Sequence, residues 1–315
     1  MWPFTSPSLQ PRVAPSSSKL HVQPHESLTY TLPSGRTLGY ATYGSTDASS
    51  PVIFLFHGMP GSRICGRSWN TLCHRLNARL ICLDRPGCGL SSYSASRLID
   101  WPSDVTAVAD HLCIAQFSVI GASAGGPFAL ACARLIPRTR LRSTTVVCGI
   151  GPVEALVPFG WRWCKWLVAM AARHFVLPRI LAPYQTQGDA GRLKRVLEDQ
   201  CVTDEERAFI YQDPSEGDLD DAVVQYLEAF RQGDGGARLD GTILTSDWGF
   251  DLGEVENREK VWLVHGDQDA IAPLAYAEFI NQKLGGHRLT VLKGMTHSTI
   301  WKEGEDEIFR QSAEA

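Results

Sequence analysis

The chain has 315 residues, 44% of them hydrophobic and 20% charged, and a formal net charge of −4. That length can bury one large α/β domain plus an insertion, and the slightly acidic balance gives no electrostatic reason for nucleic acid or an anionic membrane as a partner. Nine cysteines, scattered without metal-ligand spacing, read as small buried hydrophobes in a reducing, cytoplasmic compartment and not as a disulfide framework.

Residues 1–26 begin Met1-Trp2-Pro3-Phe4 and run into a Ser/Pro-rich stretch, which reads as a flexible tail without an export signal. Ser27–Leu32 alternates apolar and polar residues. Pro33-Ser34-Gly35-Arg36 supplies turn chemistry before Thr37–Tyr43, so a hairpin should form the antiparallel edge of a sheet. Two continuous apolar strands follow, Pro51–Phe56 and Arg79–Leu83. The first leads into His57-Gly58-Met59-Pro60-Gly61-Ser62 and the second into Asp84-Arg85-Pro86-Gly87-Cys88-Gly89-Leu90-Ser91, where Asp84 reads as a turn residue capping local N–H groups. Trp101 to Leu112 reads as a helix feeding the strand Phe117–Ile120. That strand meets Gly121-Ala122-Ser123-Ala124-Gly125-Gly126, and a helix over 127–136 then stops before Pro137. Further strands are expected near 143–149, 261–265 and 288–292. The whole pattern predicts a mostly parallel sheet of about eight strands with helices on both faces.

More than a hundred residues separate the strand near Gly149 from the one at Val261, too many for a simple connection. Helices are expected there at 153–175, 189–199, 204–211 and 218–232, with Gly233-Asp234-Gly235-Gly236 as a flexible break. Trp163, Trp166 and Met170 fall on one helical face while Trp161 points elsewhere. This is either a packing stripe or an aromatic lining for a bulky apolar substrate. No run of 18 apolar residues suggests a transmembrane span.

A Gly-x-Ser-x-Gly between a strand and a helix makes a sharp turn that exposes the serine hydroxyl beside unpaired helix N-terminal N–H groups. A serine hydroxyl needs a base to take its proton, and the base needs an orienting carboxylate. His265-Gly266-Asp267-Gln268-Asp269 ends one late strand with two acidic candidates, and Gly294-Met295-Thr296-His297 ends the last with a histidine.

These motifs, in this order, resemble the α/β-hydrolase superfamily, closest to its serine hydrolases with a helical cap: esterases, lactonases, carbon–carbon hydrolases and iminopeptidase-like enzymes. The likeness runs from about Leu28 to Phe309. It implies a core of residues 27–151 and 246–315 and a cap of residues 152–245. It implies Ser123 as nucleophile, Asp269 over Asp267 as acid, and His297 as base among nine histidines. Met59 and Ala124 should supply the oxyanion-hole N–H groups, with the Met59 side chain bordering the acyl pocket. Trp161, Trp163 and Trp166 are candidates for the substrate cavity. A serine nucleophile excludes the relatives that use aspartate. The implied activity is cleavage of a small or medium, mostly apolar ester, lactone, thioester or related carbonyl substrate, as a carboxylic ester hydrolase without metal or cofactor. A lyase, acyl-transfer enzyme, carbon–carbon hydrolase or binding protein on the same scaffold remains the alternative, and oligomeric state is left open.

Overall fold

The computed structural model describes residues 20–157, 165–199, 218–256, 258–286 and 288–313. Eight strands form one sheet: β1 Leu28–Thr31, β2 Thr37–Gly44, β3 Val52–Phe56, β4 Arg79–Leu83, β5 Phe117–Ala122, β6 Leu141–Val147, β7 Val261–Gly266 and β8 Leu289–Leu292. Their spatial order is β1-β2-β4-β3-β5-β6-β7-β8. The hairpin β1–β2 is antiparallel, with Leu28 opposite Tyr40, and β2 runs antiparallel to β4. Every remaining pairing is parallel.

The apolar runs of β3 and β5 follow from burial on both faces. Along β3, Val52, Phe54 and Phe56 join one core with Trp101, Phe117 and Phe128, while Ile53 and Leu55 join another with Trp69, Ile120 and Phe309. Edge-on aromatic pairs knit the first core: Phe54 with Phe117, Phe56 with Trp101, and Trp101 with Phe128. The covering helices before the insertion are α1 Asn70–Arg75, α2 Trp101–His111 and α3 Gly126–Leu135.

Between β6 and β7 lie α4 Lys165–Ala171, a π-turn over Ala172–Val176, α5 Leu177–Leu181, α6 Ala190–Asp199, α7 Asp218–Ala229 and α8 Gly235–Leu244. After β7 come α9 Ala275–Lys283, α10 Ile300–Glu303 and α11 Glu305–Ala313. Two expectations for the insertion change. The single helix expected over 153–175 is a 3-10 turn at Val153–Ala155 followed by α4 and the π-turn, with 158–164 outside the described residues. Of the stretch expected as a flexible break, Gly235 and Gly236 are the start of α8, while Gly233 and Asp234 precede it. A Cβ on Gly236 would stand 2.5 Å from the Gly87 backbone, so the glycine serves close packing of the insertion on the β4 turn. The helix expected at 204–211 lies outside the described residues.

The strand order reverses at β3, whose neighbours β4 and β5 both follow it in the chain. In open α/β sheets the crevice beyond the carboxyl ends at such a reversal is where ligands bind. The turns after β3 and β5 are the two segments that open there.

Candidate active site

Ser123 sits where β5 turns into α3, with a backbone φ of 51°. Left-handed backbone is unusual for a side-chain-bearing residue and marks a strained turn. The flanking glycines make the turn possible. A Cβ on Gly121 would lie 2.5 Å from Gly125 O, and one on Gly125 would run into Phe56 O. The turn leaves Ser123 largely buried, and its carbonyl accepts a 3.1 Å hydrogen bond from the Ile150 amide beyond β6. Ala124 follows at the beginning of the helical turn, where backbone N–H groups lack intrahelical acceptors.

The turn after β3 passes directly over the serine: a Cβ on Gly58 would lie 3.4 Å from Ser123 Cβ. His57 is fully buried beneath it. Its Nδ1 donates to Gly58 O at 2.8 Å and its Nε2 accepts the Arg85 amide at 3.2 Å, which requires the neutral Nδ1-protonated ring. Burial first, and then the Arg85 charge, push His57 well below the usual histidine range. The buried Arg85 guanidinium donates to His57 O and Gly58 O and forks onto Asp240 of α8 at 3.0 and 2.7 Å. It thereby ties the turn carrying Met59 to the helical insertion. The Met59 side chain packs against Leu177, Leu181 and Ala237 of that insertion.

At the carboxyl ends of β7 and β8, His297 Nδ1 hydrogen-bonds Asp269 Oδ2 at 2.7 Å. The other carboxylate oxygen accepts the Ile271 and Ala272 amides at 2.9 and 2.7 Å. Burial acts to raise the Asp269 carboxyl. The hydrogen bond and charge of His297, with the Ala272 amide and the Cys148 thiol, hold it below its ordinary value. His265 Nε2 is engaged by Ala272 O at 2.7 Å and lies 3.6 Å from Asp269 Oδ2. Asp267 accepts the Gly294 amide at 2.7 Å, a turn-holding contact. Among the described residues one trio carries ligand-type atoms close enough to share a metal ion: those of Cys148, Asp269 and His297 lie within 4.8 Å of one another. Of these three groups, the imidazole is hydrogen-bonded to the carboxylate at 2.7 Å.

The model of the alpha/beta hydrolase family matches residues 52–310. The chain belongs to that family. A solved hydrolase from Pseudomonas aeruginosa superposes with a TM-score of 0.63 at 16% identity, covering 91% of this chain and 97% of its own. An enol-lactonase from Burkholderia xenovorans gives 0.61 at 18% identity, covering 90% and 97%. An esterase from Exiguobacterium antarcticum gives 0.60 at 15%, again covering 90% and 97%. At these identities the likeness is one of fold. Among curated proteins, the dihydrolipoyllysine-residue acetyltransferase component of the acetoin cleaving system of Pseudomonas putida is 28% identical over 248 residues, or 77% of this chain. The chain spans 58% of the length of that relative.

On this alpha/beta hydrolase scaffold the late acidic and histidine motifs meet in one hydrogen bond, while Ser123 and Met59 lie on the turns after β5 and β3 at the sheet reversal. Trp166 is 59% exposed. It lines an outer cleft with Met170, Arg173, Trp248 and Phe250, whose described walls do not include Ser123, Asp269 or His297. Trp161 and Trp163 lie outside the described residues.

Reading the chain by motif missed the buried ion pairs that seat the insertion. Arg63 bridges Asp84 at 3.0 Å and Glu228 of α7 at 2.7 Å, and Arg85 holds Asp240. Asp84 does cap its turn, accepting the Leu90 amide at 2.8 Å, and it also receives the Arg63 amide at 2.7 Å. Arginines inside the otherwise apolar and glycine-rich motifs after β3 and β4 were the available signal, since a buried guanidinium must find partners.

Proposed function

We propose that the chain is a serine hydrolase of small or medium, mostly apolar carbonyl substrates such as esters, lactones and thioesters. The 2.7 Å His297–Asp269 hydrogen bond carries the reading, because it pairs an imidazole with a carboxylate at the carboxyl end of the same sheet from which the strained Ser123 turn departs. His297 Nε2 takes the Ser123 hydroxyl proton as Oγ attacks the carbonyl carbon, and Asp269 stabilises the imidazolium that forms. The Met59 and Ala124 N–H groups receive the developing oxyanion. Collapse expels the leaving group, protonated by His297. Water then attacks the acyl-enzyme by the same route and frees Ser123. The described residues within 152–245 belong to a cap, a reading supported by the buried Arg63–Glu228 and Arg85–Asp240 pairs that seat α7 and α8 on the core. The seven free cysteines among the described residues suit a reducing cytoplasm. Among those residues no helix is long and apolar enough to cross a membrane.

The test is labelling by a serine-reactive fluorophosphonate, run beside turnover of p-nitrophenyl esters of graded chain length and of lactones. Ser123→Ala abolishes both labelling and turnover while the melting temperature stays near wild type. A Ser123→Ala protein that keeps most of its activity overturns the reading. The acetyltransferase component to which the chain is similar favours a second reading, transfer of the acyl group to an acceptor other than water. Product partition in the presence of added alcohols and thiols separates the two.

A further inference from the structure

We propose that the helical stretch Lys165–Leu181 of the insertion is a docking face for an anionic phospholipid surface, on which the protein adsorbs without spanning the bilayer. The inference goes beyond the serine-hydrolase reading and does not depend on it.

The stretch turns its apolar side to water. α4, the π-turn and α5 run on without a break in helical backbone, since the joining residues Ala171 and Leu177 have φ of −62° and −56°. The inner stripe is thin: Ala169, Leu177 and Leu181 are its buried residues, spaced at multiples of four. Leu177 and Leu181 pack with Ala237 and Met59. Around the rest of the rod, Trp166, Leu167, Met170, Phe175, Val176 and Ile180 are 47–63% exposed. Exposed hydrophobics elsewhere, such as Tyr93, Leu135 and Ile271, stand singly on other parts of the chain. One such residue is ordinary on a protein surface, but a row along one helix marks a surface that meets something apolar. A helix facing water normally carries the opposite pattern.

Charge selects the occupant. The whole chain is slightly acidic, but residues 155–188 hold Arg162, Lys165, Arg173 and Arg179 and no aspartate or glutamate. Arg179 donates to Phe175 O, and Arg173 donates to Thr242 O and the hydroxyls of Thr245 and Ser246. Neither guanidinium meets a carboxylate among the described residues. Lys165 only approaches Glu154, at 4.0 Å. Cations set on an apolar helix with tryptophan and phenylalanine suit a helix lying in a lipid interface. There the rings and aliphatic chains enter the acyl boundary, and the Lys and Arg stems reach back to the phosphates. A second copy of the chain fits worse, because a two-fold contact through this face sets its cations against themselves. The amino-terminal tail fits no better: residues 1–25 add Arg12 and Lys19 and again no acid.

The test is co-sedimentation of the purified full chain with vesicles of phosphatidylcholine, alone or with about 30% phosphatidylserine. Wild type binds the anionic vesicles about tenfold or more tightly than the neutral ones, and about 0.5 M salt removes most of that difference. Phe175→Ser combined with Ile180→Ser weakens binding to both vesicle types by about tenfold or more. The melting temperature of that variant stays near wild type, because both side chains already stand in water. Lys165→Gln combined with Arg179→Gln weakens only the preference for anionic vesicles. Leu135→Ser, which removes an exposed leucine from α3, leaves binding unchanged. A wild-type chain that does not sediment, or a Phe175→Ser, Ile180→Ser variant that sediments equally well, overturns the proposal. So does a dimer in light scattering that the same variant abolishes, which would make the face a contact between copies. The acidic run Asp204-Glu205-Glu206 lies outside the described residues and is a competitor of matching charge within the chain; a face covered by it gives the first of these failures. Ser123→Ala binds vesicles as wild type does, so failure of the hydrolase reading leaves this result standing.

Discussion

Replacing Asp269 by asparagine is the most informative single change, because the structure dictates how the new amide sits. Oδ1 of Asp269 accepts two backbone amides, from Ile271 and Ala272, at 2.9 and 2.7 Å. The asparagine oxygen must take that place, since an NH2 group there would face two donors. Its NH2 therefore points at His297 Nδ1, where the carboxylate had accepted a 2.7 Å hydrogen bond. A donor in that position forces Nδ1 to accept and leaves the proton on Nε2, the nitrogen that should receive the Ser123 proton. The equivalent wrong-tautomer substitution in a serine protease lowers kcat by about 10⁴, or roughly 5.5 kcal/mol of transition-state stabilisation. We expect Asp269→Asn to lose about 10³–10⁴ in kcat with KM little changed, because the defect is felt in the transition state. Steady-state kinetics on a p-nitrophenyl ester, with Asp267→Asn as companion, measure it. Asp267 only holds the Gly294 turn, so its asparagine variant stays within about tenfold of wild type. A loss below about tenfold for Asp269→Asn, or a larger loss for Asp267→Asn, refutes the tautomer argument and the assignment of the acid.

Two further predictions concern the buried charges. Arg85→Met leaves Asp240 buried without its cation and strips donors from His57 O and Gly58 O, so urea titration should show a loss of about 3–5 kcal/mol. Adding Asp240→Leu recovers much of that stability but not the turnover, because the turn presenting Met59 still lacks its anchor; full recovery of both removes Arg85 from any role in the site. Acidification should destabilise the fold through His57 and His265, whose values are lowered chiefly by burial. The unfolded chain binds protons near pH 6.5 that the native histidines refuse, so each neutral histidine costs about 1.4 kcal/mol per pH unit as pH falls below that point towards its native value. Asp84, which burial pushes up to about 6, works in the opposite direction on the way down from there. Melting temperatures measured from about pH 7 down to pH 5.5 should therefore fall less steeply for His57→Gln than for wild type, and equal slopes would contradict the neutral buried ring.

Much of this protein was legible from local pattern. Continuous apolar strands such as Val52–Phe56 can only belong to a sheet covered on both faces, and a serine between glycines at a strand end announces its own turn, because nothing else fits against Phe56 and Gly125. Asp269 and His297 could be singled out because each ends a strand near the carboxyl terminus in the motif order of a known family. Contacts across large sequence separations were not legible. Arg85 meeting Asp240 and Arg63 meeting Glu228 each join residues more than a hundred positions apart, and no periodicity encodes a partner at that distance. The glycines at 235 and 236 looked like a flexible break for the same reason: whether a glycine confers freedom or permits a close approach depends on what lies opposite. Here that is Gly87, a neighbour that only the packing of α8 on the β4 turn supplies.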